Sequence, residues 1–165
     1  MKTLLIDSGK CTGCKMCVEA CSLTKAAAFK PASSRIHIAK LESRGLSVPI
    51  VCEHCVEAPC EAICPVKAIT TDPETGWVNI HLDKCTGCKL CKWVCPFGAD
   101  TITVTGKSAY KCDLCGGDPE CVKFCTPGAL LWTDVDETVK RRKWAVADVR
   151  ARELISFEIR EAGAR

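Results

Sequence analysis

Residues 84–96 read KCTGCKLCKWVCP. Cys85, Cys88 and Cys91 recur at every third position, Cys95 follows four residues later, and Pro96 closes the run as C-x2-C-x2-C-x3-C-P. A loop this short wraps three thiols around one side of a common object. The fourth thiol is expected on the helix that follows, facing away from that loop. Working outward, the pattern returns three more times. Downstream stand Cys112, Cys115, Cys121 and Cys125, as C-x2-C-x5-C-x3-C. Upstream stand Cys52, Cys55, Cys60 and Cys64 with Pro65, as C-x2-C-x4-C-x3-C-P, and before them Cys11, Cys14, Cys17 and Cys21, as C-x2-C-x2-C-x3-C. These four groups of four use all 16 cysteines of the 165-residue chain. An internal repeat of this kind is the first thing to explain about a sequence.

Cysteine at this density means that something besides apolar packing holds a small fold together. Aromatic residues make up only 5% of the chain, too few for a large aromatic core. Disulfides need an oxidising compartment. The N-terminus, MKTLLID, lacks an apolar run of signal-peptide length because Asp7 interrupts it, and no stretch approaches the roughly 20 apolar residues of a membrane span. The expectation is a cytoplasmic chain with reduced thiols and no membrane span. Zinc sites use pairs of C-x2-C separated by a longer spacer. Here a third cysteine follows after only two residues in groups one and three, and the cysteine–proline ending has no use at a tetrahedral zinc. The group at 85–96 resembles the bacterial ferredoxin run, in which the fourth cysteine ligates the neighbouring [4Fe–4S] cluster. Four such groups predict four [4Fe–4S] clusters on sixteen thiolates.

The formal charge of +3 looks mildly basic. With about −2 on each thiolate-ligated cluster it becomes roughly −5, which removes the basis for a nucleic-acid partner.

Two groups that exchange their fourth cysteine make one ferredoxin module, so four groups make two modules. The modules are either sequential or nested. Between groups two and three, Ala68–Ile80 reads strand, turn, strand, with Pro73 and Gly76 in the turn. Group one is followed by a longer stretch reading as two strands, Arg35–Leu41 and Leu46–Val51, around Gly45. That asymmetry favours nesting. The predicted fold class is α+β: an outer module from 1–50 and 100–133, an inner module from 51–99, and a C-terminal tail over 134–165. The tail is expected to be helical from about Asp136 to Arg160, with no Pro or Gly. Its basic run 140–143 suits an acidic partner, although a solvated helix face is the commoner explanation of such a run.

Taken together, the first group, the RIHI stretch at 35–38, CEHCVEAPCEAICP at 52–65, the third group and CDLC at 112–115 resemble the four-cluster electron-transfer subunits of molybdenum and tungsten oxidoreductases. That family includes the iron–sulfur subunits of dimethyl-sulfoxide reductase, formate dehydrogenase and formate hydrogenlyase. The resemblance spans about residues 2–133. It implies the nested arrangement, with clusters held by Cys11, Cys14, Cys17 and Cys125; by Cys112, Cys115, Cys121 and Cys21; by Cys52, Cys55, Cys60 and Cys95; and by Cys85, Cys88, Cys91 and Cys64. The pattern departs from the family at Ser22, where a proline often follows the fourth cysteine, and at Thr126, which precedes Pro127. A looser turn is expected at either place. The five residues between Cys115 and Cys121 include Gly116, Gly117 and Pro119, enough freedom to close the same cube.

A cluster with four cysteine ligands has no open iron, so no catalytic residue is predicted. The chain is expected to pass single electrons between a catalytic oxidoreductase subunit and a second redox partner, or another copy of itself. The leading catalytic partner is a tungsten-dependent aldehyde oxidoreductase. A hydrogenase, a formate dehydrogenase and a carbon-monoxide dehydrogenase are the alternatives. A freely diffusing polyferredoxin and a zinc-stabilised scaffold are the rival readings. Lys84, Lys89 and Lys92 would make the third group easily reduced if they faced it, and would be screened if they faced water. Trp93 and Phe97 are expected to shield a cluster. His54 is expected to donate a hydrogen bond or pack, and His37 and His81 to be structural or on the surface.

Overall fold

A computed structural model describes residues 1–42, 45–98, 101–136 and 139. Four two-stranded antiparallel sheets and four short helices make up these residues. Strand β1 (Lys2–Ile6) pairs with β8 (Leu130–Asp134), so the segments leading into group one and out of group four run side by side, Leu4 opposite Trp132. Three hairpins fill the interval: β2 (Ile36–Leu41) with β3 (Leu46–Val51), β4 (Ile69–Thr71) with β5 (Val78–Ile80), and β6 (Ile102–Thr105) with β7 (Ser108–Lys111). Each follows a β-branched run punctuated by a turn residue. The β4–β5 turn is closed by Asp72, whose carboxylate accepts from the amides of Glu74 and Thr75 at 2.9 and 2.8 Å.

Helix α1 (Met16–Ala26) carries the last two cysteines of group one; α2 (Pro59–Ala62), α3 (Leu90–Val94) and α4 (Glu120–Lys123) carry the third cysteine of the other groups. The expectation that every fourth cysteine rides on a helix therefore holds for Cys21 alone. Cys64 and Cys95 lie past their helix ends, and Cys95 is extended at φ −68°, ψ 118°. Each precedes a proline, whose ring disfavours the helical region for the residue before it. Ser22 imposes no such restriction, and α1 runs on for another turn. Ser22 is 0% exposed; its hydroxyl donates to the Glu19 carbonyl at 2.9 Å and accepts from the Lys30 amide at 3.3 Å. The looser turn expected there is a continued helix instead.

Apolar packing is modest. Leu4, Ile36, Leu114, Leu130 and Val78 are the largest fully buried apolar side chains. Leu4, Val18, Ile36, Val51, Leu114 and Leu130 pack with the buried Cys17, Cys21 and Cys121. Ile69, Val78, Ile102 and Ala109 pack with Cys91. Trp77, from the β4–β5 turn, reaches the first of these cores. Its indole donates to the Lys2 carbonyl at 3.0 Å and its ring lies 6.0 Å from that of Trp132. The C-terminal helix expected over 136–160 falls outside the described residues, apart from Asp136 and Val139.

Candidate metal centres

The loops are built by backbone conformation that the sequence repeats. Lys15 and Lys89, each right after the second cysteine of its group, take left-handed φ values of 62° and 69° and turn the chain into α1 and α3. In group four, Leu114, Cys115, Gly116 and Gly117 are left-handed in succession, and the Asp113 carboxylate accepts from the Cys115 amide at 3.1 Å.

Three voids lie behind these loops. One of about 300 Å³, open solvent included, is lined by Cys11, Cys14, Cys17 and Cys125. A second, of about 350 Å³, is lined by Cys52, Cys55, Cys60 and Cys95, under Phe97. A third, also about 350 Å³, is lined by Cys64, Cys85, Cys88 and Cys91. The remaining four are also neighbours. Burial first, and then the charges of Cys112, Cys21 and Cys115, push the Cys121 thiol far above its ordinary range.

Packing gives the order of the four sets: thiols of the Cys11 and Cys112 sets share one core, thiols of the Cys52 and Cys85 sets share the other, and Ile102, which lines the Cys52 void, pairs with Lys111 next to Cys112. The thiol shifts follow the same order. Burial, followed by Cys125, Cys11 and Cys14, pushes Cys17 up to about 12. Cys121 feels Cys17 beyond its own set. Cys112, raised to about 12 mainly by burial, feels Cys52. Cys60, raised to about 12 by burial and then by Cys52, also feels Cys91. The neighbours thus run from the Cys11 set through the Cys112 set and the Cys52 set to the Cys85 set. Cys14 and Cys88, in the first and last of these, are the two exposed cysteines; the two inner sets hold none.

No described thiol is in a disulfide. Among the described residues no three His, Cys, Asp or Glu side chains converge as one metal ion requires. Twelve of the thiols line the three voids instead, four to each, and thiols are soft donors suited to iron–sulfur groups. Burial makes Cys17, Cys60, Cys91, Cys95, Cys112 and Cys121 resist ionisation on their own, and metal binding must displace their protons. The residues present therefore fit a group of several metal atoms. Sulfur-directed hydrogen bonds add to the fit. The Arg35 amide donates to Cys21 Sγ at 3.3 Å and the Ala68 amide to Cys64 Sγ at 3.2 Å, while Thr101 Oγ1 lies 3.0 Å from Cys95 Sγ.

One expectation for the flanking residues changes. Phe97 is 7% exposed over its void, but Trp93 is 84% exposed and shields nothing, because it lies on the outer side of the five-residue α3. His54 is buried and accepts at Nδ1 from the Val78 amide at 3.0 Å, which puts its proton on Nε2. His81 is exposed, with Nε2 2.8 Å from Thr70 Oγ1. Lys84 and Lys89 are exposed and Lys92 is half-buried.

Three features are not evident from the cysteine pattern. Lys111 is 4% exposed. Thr101 is 1% exposed against Cys95. Asp113 ties the first and fourth groups together, pairing with Lys25 Nζ at 2.8 Å and Arg35 Nη1 at 2.6 Å, with the Arg35 guanidinium 5.7 Å above the Tyr110 ring. Burial pushes the Asp113 carboxyl up, but Lys25 and Arg35 outweigh it and hold the group below its ordinary range. The alternation of β7 carries a signal for Lys111, since it shares a strand face with the buried Ala109.

The chain is similar to known proteins. The 4Fe-4S dicluster domain model matches residues 44–135, and the 4Fe-4S binding domain model matches residues 4–22. An uncharacterized ferredoxin of Methanocaldococcus jannaschii is 43% identical, covering 84% of this chain and 76% of that protein. The polyferredoxin-like subunit of an aliphatic sulfonate oxidoreductase of Pyrococcus furiosus is 38% identical, covering 74% of this chain and 70% of the subunit. Among solved structures, a chain of the BamBC active-site complex of benzoyl coenzyme A reductase aligns over 97% of this chain and 98% of its own length. Its TM-score is 0.50 at 25% identity.

Proposed function

The chain belongs to the 4Fe-4S dicluster family of ferredoxin-type electron-transfer proteins, and from that premise we propose that it carries four [4Fe–4S] clusters as a linear relay. The observation that carries the proposal is the run of four cysteine sets with an exposed cysteine in each terminal set. The ligand sets proposed are Cys11, Cys14, Cys17 with Cys125; Cys21 with Cys112, Cys115, Cys121; Cys52, Cys55, Cys60 with Cys95; and Cys64 with Cys85, Cys88, Cys91. Two ferredoxin-like modules follow from these sets, one inserted in the other. The pairing of β1 with β8 around the inner hairpins supports that nesting.

When bound, each cluster stores and releases one electron. The chain's own groups do the rest. Sixteen thiolates hold the iron, the Arg35 and Ala68 amides donate to ligand sulfurs, and Phe97 keeps water from one inner set. Exposed Cys14 and Cys88 bring the terminal sets to the surface, where a partner exchanges electrons. No described helix is long and apolar enough to cross a membrane.

The partner proposed is the catalytic subunit of an oxidoreductase working in the cytoplasm. Support comes from the relative whose own name places it in an aliphatic sulfonate oxidoreductase. Within that class the tungsten aldehyde oxidoreductases remain the leading candidate, on the resemblance of the sequence.

Anaerobically prepared protein is expected to bind about four irons per cysteine set and to lose its visible absorbance on adding dithionite. A colourless protein that takes up zinc and no iron overturns the relay. Purification from the native source is expected to bring a larger subunit in equal amount; a chain that always runs alone is a diffusing carrier instead.

A further inference from the structure

Lysine is among the residues least often buried, and a buried ammonium needs a counter-charge. Lys111, at the end of β7, is 4% exposed. Its Nζ donates to the Cys112 carbonyl at 3.1 Å. Among the described residues no carboxylate lies within ion-pair distance of it. Its register partner across the β6–β7 hairpin is Ile102, which lines the void of the Cys52 set, and the next residue in the chain is Cys112 of the other inner set. The lysine therefore stands at the midpoint of the line, buried between two groups of thiols.

We propose that Lys111 is the buried counter-charge shared by the two inner cysteine sets, and that it makes the middle of the relay easier to reduce than a neutral side chain would. This rests on the relay reading above. Adding an electron makes the ligated group more negative, and a nearby fixed cation stabilises that state. In a dry interior the attraction is little screened. The exposed Lys84 and Lys89 have no such leverage on the terminal set beside them. Glu53, buried beside Cys52, lines the void of that set and carries the opposite charge, so the inner set that includes Cys52 faces both charges and the set that includes Cys112 mainly Lys111.

The test is a redox titration followed by electron paramagnetic resonance on the full chain, reconstituted anaerobically, with iron counted in every sample. Wild type is compared with Lys111→Met, Lys111→Gln and Lys111→Arg. In the Met and Gln variants two of the four midpoints are expected to fall. The fall corresponds to about a tenfold smaller reduced-to-oxidised ratio at fixed potential, or about 59 mV for one electron. The other two midpoints stay, and Arg preserves all four. Midpoints that do not move, that move equally in all four clusters, or that fall as far with Arg as with Met overturn the proposal. If the neutral variants lose iron while Arg keeps it, the charge is needed to hold the inner sets and the proposal stands. If Met, Gln and Arg all lose iron, Lys111 acts by packing and the proposal fails. A wild type without iron removes the relay itself, an outcome distinct from an iron-loaded wild type whose variants are unchanged.

Discussion

The hexapeptide KCTGCK occurs twice, at Lys10–Lys15 and at Lys84–Lys89, in the two terminal sets. Locally the copies are alike. Gly13 and Gly87 have φ of 71° and 70°, Lys15 and Lys89 are both left-handed, and Cys14 and Cys88 are both exposed. They diverge in the helix each one starts. The first copy leads into the 11-residue α1 and the second into the five-residue α3. The residue after the fourth cysteine contributes to this: Pro96 disfavours a helical Cys95, and Ser22 leaves Cys21 free to continue the helix. The longer helix has a consequence at a distance. It carries Lys25 to Asp113, and with Arg35 it clasps the first group to the fourth. Identical ligand loops thus take different places in the fold because of a residue outside them.

Exchanging those residues gives the largest expected effect. Ser22→Pro removes a helical amide from the middle of α1 and two partly buried hydrogen bonds, and is expected to cost about 4 kcal/mol. The last turn of α1 should go with it, seen as lost far-ultraviolet ellipticity and a lower guanidinium midpoint for the visible band. The reverse change, Pro96→Ser, is expected to cost about 1 kcal/mol or less, since it only relaxes a constraint. Equal effects would mean that α1 is held by packing alone, irrespective of the residue after Cys21.

The twin glycines come next. A Cβ on Gly87 would lie 2.9 Å from the Gly106 carbonyl oxygen and from Lys107 backbone atoms, none of which can step aside. A Cβ on Gly13 would meet the Ser47 hydroxyl at 2.5 Å, the end of a side chain that can rotate. Both carry the cost of a left-handed alanine. Gly87→Ala is expected to lose about 3 kcal/mol and Gly13→Ala about 1–2 kcal/mol. Adding Ser47→Ala should recover part of the Gly13→Ala loss. A Gly13 variant as damaged as the Gly87 variant would show that the β2–β3 hairpin is as unyielding as the β6–β7 turn.

The clasp ranks third. Asp113→Asn keeps an oxygen for the Cys115 amide and removes the charge facing Lys25 and Arg35. Asp113 is 45% exposed, so solvent screening limits the loss to about 1 kcal/mol. The clasp is also sensitive to acid. A carboxyl held below its ordinary range contributes stability that is present above the unfolded value and lost as pH falls through the folded one. The Asn variant should therefore lose less stability than wild type when pH is lowered below the ordinary Asp range. Parallel losses would assign acid sensitivity to other groups.

How much of the molecule is legible in the sequence depends on how local each cause is. Cysteine spacing marks the loops directly, because three thiols two residues apart leave few ways to wrap a common centre. The hairpins are legible from β-branched runs and turn residues, and Leu46–Val51 matches residue for residue. Helix length is harder to read, because the proline does more than close the run: its main effect is on the cysteine before it. Trp93 is misleading because neighbouring Cys95 suggests shelter, whereas a five-residue helix has a solvent side whatever its neighbours. Lys111 escapes because its burial is tertiary. Ser108–Lys111 is a short polar strand whose alternation hints at a shared face, and only the packing between the inner sets makes that face dry.

The smallest expected effect sharpens the contrast between the terminal loops and the middle of the line. Lys84→Gln and Lys89→Gln remove two charges from within and beside the third group, where the sequence suggests an easily reduced centre. Both side chains are exposed. At the Debye length of about 8 Å in physiological salt their field is largely spent in water, and at about 3 Å in 1 M salt it is gone. On the proposed relay the double variant should therefore leave every midpoint within about 10 mV of wild type, a change of less than about twofold in the reduced fraction. Raising the salt should erase even that. A shift as large as that of Lys111→Met, or one that survives 1 M salt, would place these lysines against the ligand sulfurs, and charge count would then outweigh burial in setting the gradient along the line.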